Sequence, residues 1–307
     1  MKQKLDNIKS DKAVILFTRI PESGRVKTRM MPYLSPSECA ELQECCIKDS
    51  LEMLRDVDAD IFICYEPSGN LRLLTDICRE TNFIVQRGDD IGARMKNGLS
   101  DVFDIGYKSV LLMGSDIPEV KSSDITDAFS QLQSCDTVIG PSQDGGYYLI
   151  GMNDIKPELF AQSSYGHGKV LDELLHIAEN NNIRVSLVAE HRDLDTKDDI
   201  LYFRERMRYQ QHLRESEVGK FVTKVLRVSV IVPAFNEEKR IDKLIKQLDT
   251  ICDDAEIIIV DGGSTDSTLA HIPDRYRIVK SDKGRALQLN AGARAASGEV
   301  LFFMHAD

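Results

Sequence analysis

Apolar and polar positions follow two recurring rhythms along this 307-residue chain. Short apolar runs bounded by polar or glycine-containing stretches read as buried strands. Longer stretches with apolar residues three or four apart read as helices covering a sheet. AVILFTR, residues 13–19, is the first strand. SPSECAELQECCIKDSLEMLRDV follows as a helix. Ser35 is its N-cap, Pro36 takes the first helical position and Glu38 completes a capping box. Its stripe of Cys39, Leu42, Cys46, Ser50 and Leu54 faces a sheet. The rhythm then repeats. IFICYEP, NFIVQR, SVLLMGSD, TVIGP, YYLIGMN and IRVSLVAE read as strands. LRLLTDICRE, IGARMKNGLSDVF, SDITDAFSQLQ, VLDELLHIAENN and DLDTKDDILYFRERMRYQ read as helices.

Strands alternating with helices predict parallel pairing through right-handed crossovers. The fold class is therefore α/β, a doubly wound, mostly parallel sheet. Around QQHLRESEVGK the pattern lapses into charged residues, which places a linker at 208–226 between a first domain, 1–207, and a second, 227–307. There the alternation restarts with the strand RVSVIVPAF. The helix NEEKRIDKLIKQL follows, with Asn236 as cap and Ile241, Leu244, Ile245 and Leu248 on one face. AEIIIVDGG, STDSTLAHI, YRIVKS, GRALQLNAGARAAS and VLFFMHAD continue the alternation as strand, short helix, strand, helix and strand. This second unit reads as an incomplete domain of the same class. Its last strand delivers His305, Ala306 and Asp307 at a carboxyl end, where ligands of open α/β sheets bind. This ending raises the question of whether the chain is a fragment, or the product of an interrupted gene, cut at the edge of a site.

The net charge of -11 argues against a broad basic face for nucleic acid. No apolar run approaches the ~20 residues of a membrane span. The polar stretch MKQKLDNIKSDK lacks the apolar core of a signal peptide. Seven cysteines fall mostly in apolar segments without a C-x-x-C pair, as expected of buried thiols in a reducing compartment. A cytoplasmic protein with no nucleic-acid partner and no membrane span is expected.

Four stretches of the first domain carry chemistry. PESGRVKTRMMP, residues 21–32, follows the first strand; Gly24 loosens the turn, and Arg25, Lys27 and Arg29 suit a polyphosphate. A solvated basic loop is the equal alternative. LLMGSDIPEV ends an apolar strand on Asp116, a poor core residue and a good divalent-metal ligand, or else a turn or helix-capping acid. Asp144-Gly145-Gly146 lets backbone approach a ligand closely, or else forms an Asp-Gly hairpin. RDLDTKDDI places Asp193 and Asp195 at the end of the last strand, with Thr196 and Asp199 opening a helix. Asp195 can meet Asp116 across Mg2+ or Mn2+, or these acids simply favour a helix N-terminus.

Together LFTRIPESGRVKTRM, QRGDDIGARM, GSDIPEV, GPSQDGGYYLIG and DLDTKDDI resemble the glycosyltransferase-A-fold proteins related to 2-phospholactate guanylyltransferase and molybdenum-cofactor nucleotidyltransferases. The resemblance is closer to a bacterial glycosyltransferase-like subgroup linked to arsenosugar biosynthesis, and covers roughly residues 12–205. It implies phosphate contacts for Arg25, Lys27 and Arg29, a catalytic metal site at Asp116 and Asp195, and a substrate side lined by Asp144, Gly145 and Gly146. One departure stands out. Relatives carry a Trp-Ser-Thr-like stretch where this chain, which has no Trp, reads SSYGHGKV with Tyr165, Gly166 and His167.

VSVIVPAFNEEKRIDKLI, IIIVDGGSTDST and KGRALQLNAGARAASGEVLFFMHAD resemble a family 2 glycosyltransferase from Arg227 to Asp307. The resemblance implies that Pro233 to Glu237 receive a base and ribose. Asp261 would accept from a nucleobase N–H, Lys283 and Arg285 would hold a diphosphate, and Asp307 would be the metal carboxylate. The expected activity is metal-dependent glycosyl transfer from a nucleotide-sugar to a small-molecule acceptor. The alternatives are nucleotidyl transfer from a nucleoside triphosphate and, in another class, a non-catalytic nucleotide-binding regulatory domain.

Overall fold

The computed structural model of the chain describes residues 10–31, 33–79, 81–161, 168–225, 228–251, 255–298 and 300–305. Two compact units divide after Val222.

The first unit runs β1 (Lys12–Thr18), α1 (Pro36–Leu54), β2 (Asp60–Tyr65), α2 (Arg72–Thr75), β3 (Asn82–Val85), α3 (Ile91–Ile105), β4 (Ser109–Gly114), α4 (Ser122–Gln131), β5 (Thr137–Pro141), β6 (Tyr147–Met152), α5 (Val170–Asn180), β7 (Val185–Leu187) and α6 (Lys197–Met207). The sheet order is β3-β2-β1-β4-β6-β5-β7. Among its strands β6 alone runs antiparallel to its neighbours. The period-2 alternation of β1 sends Val14 and Leu16 to one face and Ala13 and Ile15 to the other. On the first face Ile47 and Leu54 of α1 and Ile125 and Phe129 of α4 cover them. On the second, Leu99 and Val102 of α3 and Leu174 of α5 do so. Local signals specify α1 as the sequence requires: Ser35 and Glu38 form the reciprocal capping box, with Pro36 at the start.

Two sequence expectations are corrected here. The stretch LRLLTDICRE forms only the single turn α2. The expected linker at 208–226 is largely helical: α7 (Gln211–Glu215) and α8 (Glu217–Lys224) occupy it. Leu213, Val218, Phe221 and Val222 are buried. Asp49 of α1 caps α8 from outside, accepting from the N–H groups of Glu217 (2.8 Å) and Val218 (2.9 Å). The segment looked like a linker because only a thin apolar stripe is buried and one of its caps comes from a distant residue.

The second unit contains β8 (Val228–Ala234), α9 (Ile241–Ile251), β9 (Glu256–Asp261), β10 (Arg277–Lys280), α10 (Arg285–Ala295) and β11 (Val300–Phe303). Its parallel sheet has the order β10-β9-β8-β11. α9 covers one face through Ile241, Leu244 and Leu248. α10 lies against the other so closely that a Cβ on Gly292 would meet Ile231 Cγ2 at 2.4 Å. Asn236 is not the cap of α9. It sits in a left-handed turn at φ 54, five residues before the helix begins.

Candidate functional site

The carboxyl edge of the first sheet opens into a cavity of about 590 Å³. The loops after β1, β4 and β7 meet there. Lys27, Arg29, Asp116, Asp193 and Asp195 all line it, with Gln86, Arg94 and the paired Tyr147 and Tyr148. Residues 166 positions apart in the chain thus share one site, which is the usual place for one in an open α/β sheet.

Lys27 is its centre. The backbone there is left-handed, φ 49 and ψ 38, an uncommon state for a residue with a side chain. That turn sends the side chain inward, where it is 3% exposed. Its ammonium donates to the Leu194 carbonyl at 2.7 Å and to Asp116 Oδ2 at 3.2 Å, and lies 3.9 Å from Asp195 Oδ1. Burial pulls the Lys27 pKa down, but Asp116, helped by Cys46 and Asp195, more than reverses this and holds the ammonium above its usual range. Arg29, largely exposed, donates to Asp195 Oδ2 at 2.8 Å.

Two supports fix the carboxylates. The Leu194 N–H donates to the Asp116 carbonyl at 2.9 Å, joining the two acidic loops through backbone. Asp199 accepts from Thr196 N (2.6 Å), Thr196 Oγ1 (2.7 Å), Asp195 N (3.0 Å) and Arg192 Nε (2.7 Å). Burial would raise the Asp199 pKa; the hydrogen bonds from Thr196 and Arg192 outweigh it and hold the carboxyl below its ordinary range. Beneath Asp116, Gln43 donates to Thr18 Oγ1 (3.1 Å) and Ser115 Oγ (3.0 Å) in a buried network.

Asp193 received no role from the sequence, yet it completes the site. Its Oδ1 is buried without a hydrogen-bond partner. Burial, with the charges of Asp116 and Asp144, pushes its carboxyl up to about 7. The D-x-D spacing was its only sequence signal. Gln86 is a second omission. Its amide donates to the carbonyls of Thr18 and Cys64, both at 3.0 Å, and ties the ends of β1 and β2.

Other predicted residues fall elsewhere. Arg25 pairs with Glu22 at 3.0 Å, and neither it nor Gly24 lines the cavity. The sequence weighted all three loop cations alike; the backbone at 24–27 buries only Lys27 and leaves Arg29 at the cavity rim. Asp144, Gly145 and Gly146 form the β5–β6 hairpin turn, with Gly145 at φ 86. Asp144 Oδ1 accepts from Gly146 N at 2.9 Å, and the Gly145 carbonyl receives the Leu171 N–H at 3.0 Å. These residues do not line the cavity. Tyr165, Gly166 and His167 lie outside the described residues.

In the second unit, Asp261 is buried at the end of β9 and accepts from the N–H groups of Gly263 (3.2 Å) and Ser264 (3.0 Å), so it shapes its own loop. Asn236 Oδ1 accepts from Thr265 N at 2.8 Å, and Glu237 N donates to Thr268 Oγ1 at 2.8 Å, lacing this loop to the one after β8. Pro233 pairs with Val260 within the sheet. The Lys283 ammonium stacks on Phe235 at 4.0 Å, and Arg285 reaches His305 Nδ1 at 2.7 Å. Gln288 donates to the carbonyls of Ala234 and Val260, both at 2.8 Å. Asp307 lies outside the described residues.

Asp116 and Asp195 present hard oxygen donors around one positive charge, here the Lys27 ammonium, and the unpartnered Asp193 Oδ1 lies in the same cavity. That donor chemistry suits Mg2+ or Mn2+. Among the described residues no three acid, histidine or cysteine side chains converge into a ready cage.

A crystal structure from Desulfovibrio desulfuricans G20, of a protein assigned to the nucleotide-diphospho-sugar transferases, is 31% identical over 70% of this chain and 95% of that one, with a TM-score of 0.66. This chain belongs to that family. Residues 50–167 match a family described as uncharacterized and conserved in bacteria, DUF2064, and residues 229–307 match glycosyl transferase family 2. The 2-phospho-L-lactate guanylyltransferase of Methanosphaera stadtmanae is 25% identical over 206 residues, 61% of this chain and 82% of its own length. An uncharacterized glycosyltransferase of Nostoc sp. PCC 7120 is 35% identical over 91 residues, 27% of this chain. The chain spans 28% of the length of that relative and 23% of YfnE from Bacillus subtilis. Among the described residues, no helix is long and apolar enough to cross a membrane.

Proposed function

We propose that the first unit is a metal-dependent glycosyltransferase that takes a nucleotide-sugar in the cavity at the carboxyl edge of its sheet. The observation that carries this reading is the convergence of Asp116 and Asp195 on one cation at the cavity wall. Asp116 and Asp195 would hold Mg2+ or Mn2+, with Asp193 beside them. Such an ion would supply the positive charge that offsets a leaving diphosphate. Arg29 and Lys27 face the same charge. Asp199 keeps the Asp195 loop in place, and Gln86 holds the strand edge against which the nucleotide lies. The acceptor is a small molecule whose hydroxyl attacks the sugar.

Nucleotidyl transfer from a nucleoside triphosphate is the second reading, favoured by the guanylyltransferase relative that matches most of this unit. The loop cations argue only weakly for a triphosphate. Arg25 is held by Glu22, and Lys27 and Arg29 are already paired with carboxylates. The second unit, with Lys283 and Arg285 near His305, is proposed to take the nucleotide end of a second donor.

The test is incubation of the purified chain with Mn2+ and, separately, UDP- and GDP-sugars, GTP, CTP and UTP. Glycosyl transfer releases a nucleoside diphosphate; nucleotidyl transfer releases pyrophosphate. Donor at about 100 times its dissociation constant should add roughly 2.7 kcal/mol of stability, lost in Asp116→Ala. Equal stabilisation of wild type and Asp116→Ala would remove this site from the reading.

A further inference from the structure

We propose that Lys27 is a resident cation of the carboxylate site, which excludes a free divalent ion until a nucleotide arrives. This rests on the metal-dependent reading above and adds an order of binding to it.

The geometry carries the argument. Lys27 adopts a strained left-handed backbone that drives its side chain into the protein. The ammonium then lies between the two carboxylates that would otherwise hold a metal, and the Leu194 carbonyl anchors it from behind. Arg29 neutralises the outer oxygen of Asp195. The two carboxylates that would hold a metal are thus each already paired with a cation, which weakens their pull on a free divalent ion. A surface phosphate-binding lysine would look different, with an exposed ammonium and no buried partners. A phosphate chain changes the balance. It offers Lys27 and Arg29 alternative charge-assisted partners, frees oxygens of Asp116 and Asp195, and brings its own charge to the metal. The divalent ion therefore enters with the nucleotide and not before it.

Mn2+ binding to the full chain, followed by the paramagnetic resonance signal of the free ion, tests this without any turnover. Wild type should bind Mn2+ alone no tighter than roughly millimolar, the weak end for oxygen-ligand sites. Lys27→Met, confirmed folded by circular dichroism, should bind Mn2+ alone at least tenfold more tightly. Adding Asp116→Asn to that variant should erase the gain. With saturating UDP or GDP, and after the Mn2+ chelated by the nucleotide in a protein-free control is subtracted, wild type should bind Mn2+ at least tenfold more tightly than it does alone, a gain lost in Asp116→Asn. Wild type that binds Mn2+ alone at micromolar concentration, at a site lost in Asp116→Asn, overturns the inference; this arm decides even where Lys27→Met does not fold. Folded Lys27→Met with unchanged Mn2+ affinity overturns it as well. Mn2+ that binds in no arm, nucleotides included, overturns the metal-dependent reading itself and the inference with it.

Discussion

The two units begin alike and end differently. β1 and β8 are both seven residues long and share the same succession of buried and half-buried positions. The strand orders β3-β2-β1-β4 and β10-β9-β8-β11 correspond, and Ala13 opposite Asp60 matches Ser229 opposite Glu256 in register. Each unit clamps the carboxyl ends of its first two strands with one amide, Gln86 in the first and Gln288 in the second. The fourth strands diverge. In the first unit β4 is buried along its middle because β6 pairs with its outer edge and helices cover both faces. In the second, Val300 to Phe303 are all exposed, with Phe302 at 56%. The same apolar strand pattern therefore has two fates, and the neighbours decide which.

Replacing Asp116, the proposed metal ligand, should give the largest effect and break the likeness at the site. If the proposed metal-dependent reading holds, Asp116→Ala should lower turnover about 1,000-fold, since a catalytic cation supplies several kcal/mol of transition-state stabilisation. Hydrogen exchange in the second unit should not change. Next come the corresponding strand positions Leu111 and Phe302. Leu111→Ala deletes a fully buried side chain and should cost about 2–5 kcal/mol, whereas Phe302→Ala should cost less than about 1 kcal/mol. Equal losses by denaturant titration would mean that β11 is covered in solution.

The clamps offer a symmetric test. Gln86→Leu and Gln288→Leu each leave two strand-end carbonyls without their side-chain donor, at about 1–3 kcal/mol apiece. Local hydrogen exchange should show each loss confined to its own unit; an effect in only one would end the parallel. The smallest effect is a pH effect. Burial alone would raise the Glu256 pKa, but hydrogen bonds from Ser229 and Ser297 outweigh it and hold the carboxyl below its ordinary range. The unfolded chain therefore binds this proton first on acidification. The stability Glu256 contributes is complete above the unfolded value and is lost as the pH falls through the folded one. In Glu256→Gln that part of the acid limb of the second unit should flatten.

Much of this was legible locally. The capping box of α1 needed only Ser35, Pro36 and Glu38, and the strands needed only their apolar runs. The linker failed because Asp49, 168 residues away in sequence from Glu217, supplies a cap of α8. Asn236 failed because a left-handed turn and an N-cap favour the same residue type. Asp144-Gly145 had two readings, and β5 and β6 do pair as a hairpin around it.

The chain's own pattern determined the two α/β units, the positions of their strand ends and the acids that gather there, because strand and helix periods are local properties of sequence. Tertiary structure alone decided the fate of the basic loop. Arg25, Lys27 and Arg29 are equivalent as charges in a row. One left-handed residue buries Lys27 between Asp116 and Asp195, leaves Arg29 at the rim and leaves Arg25 outside. A buried charge is stable only where its partners converge, and that convergence joins residues 27, 116 and 195, which no local pattern connects.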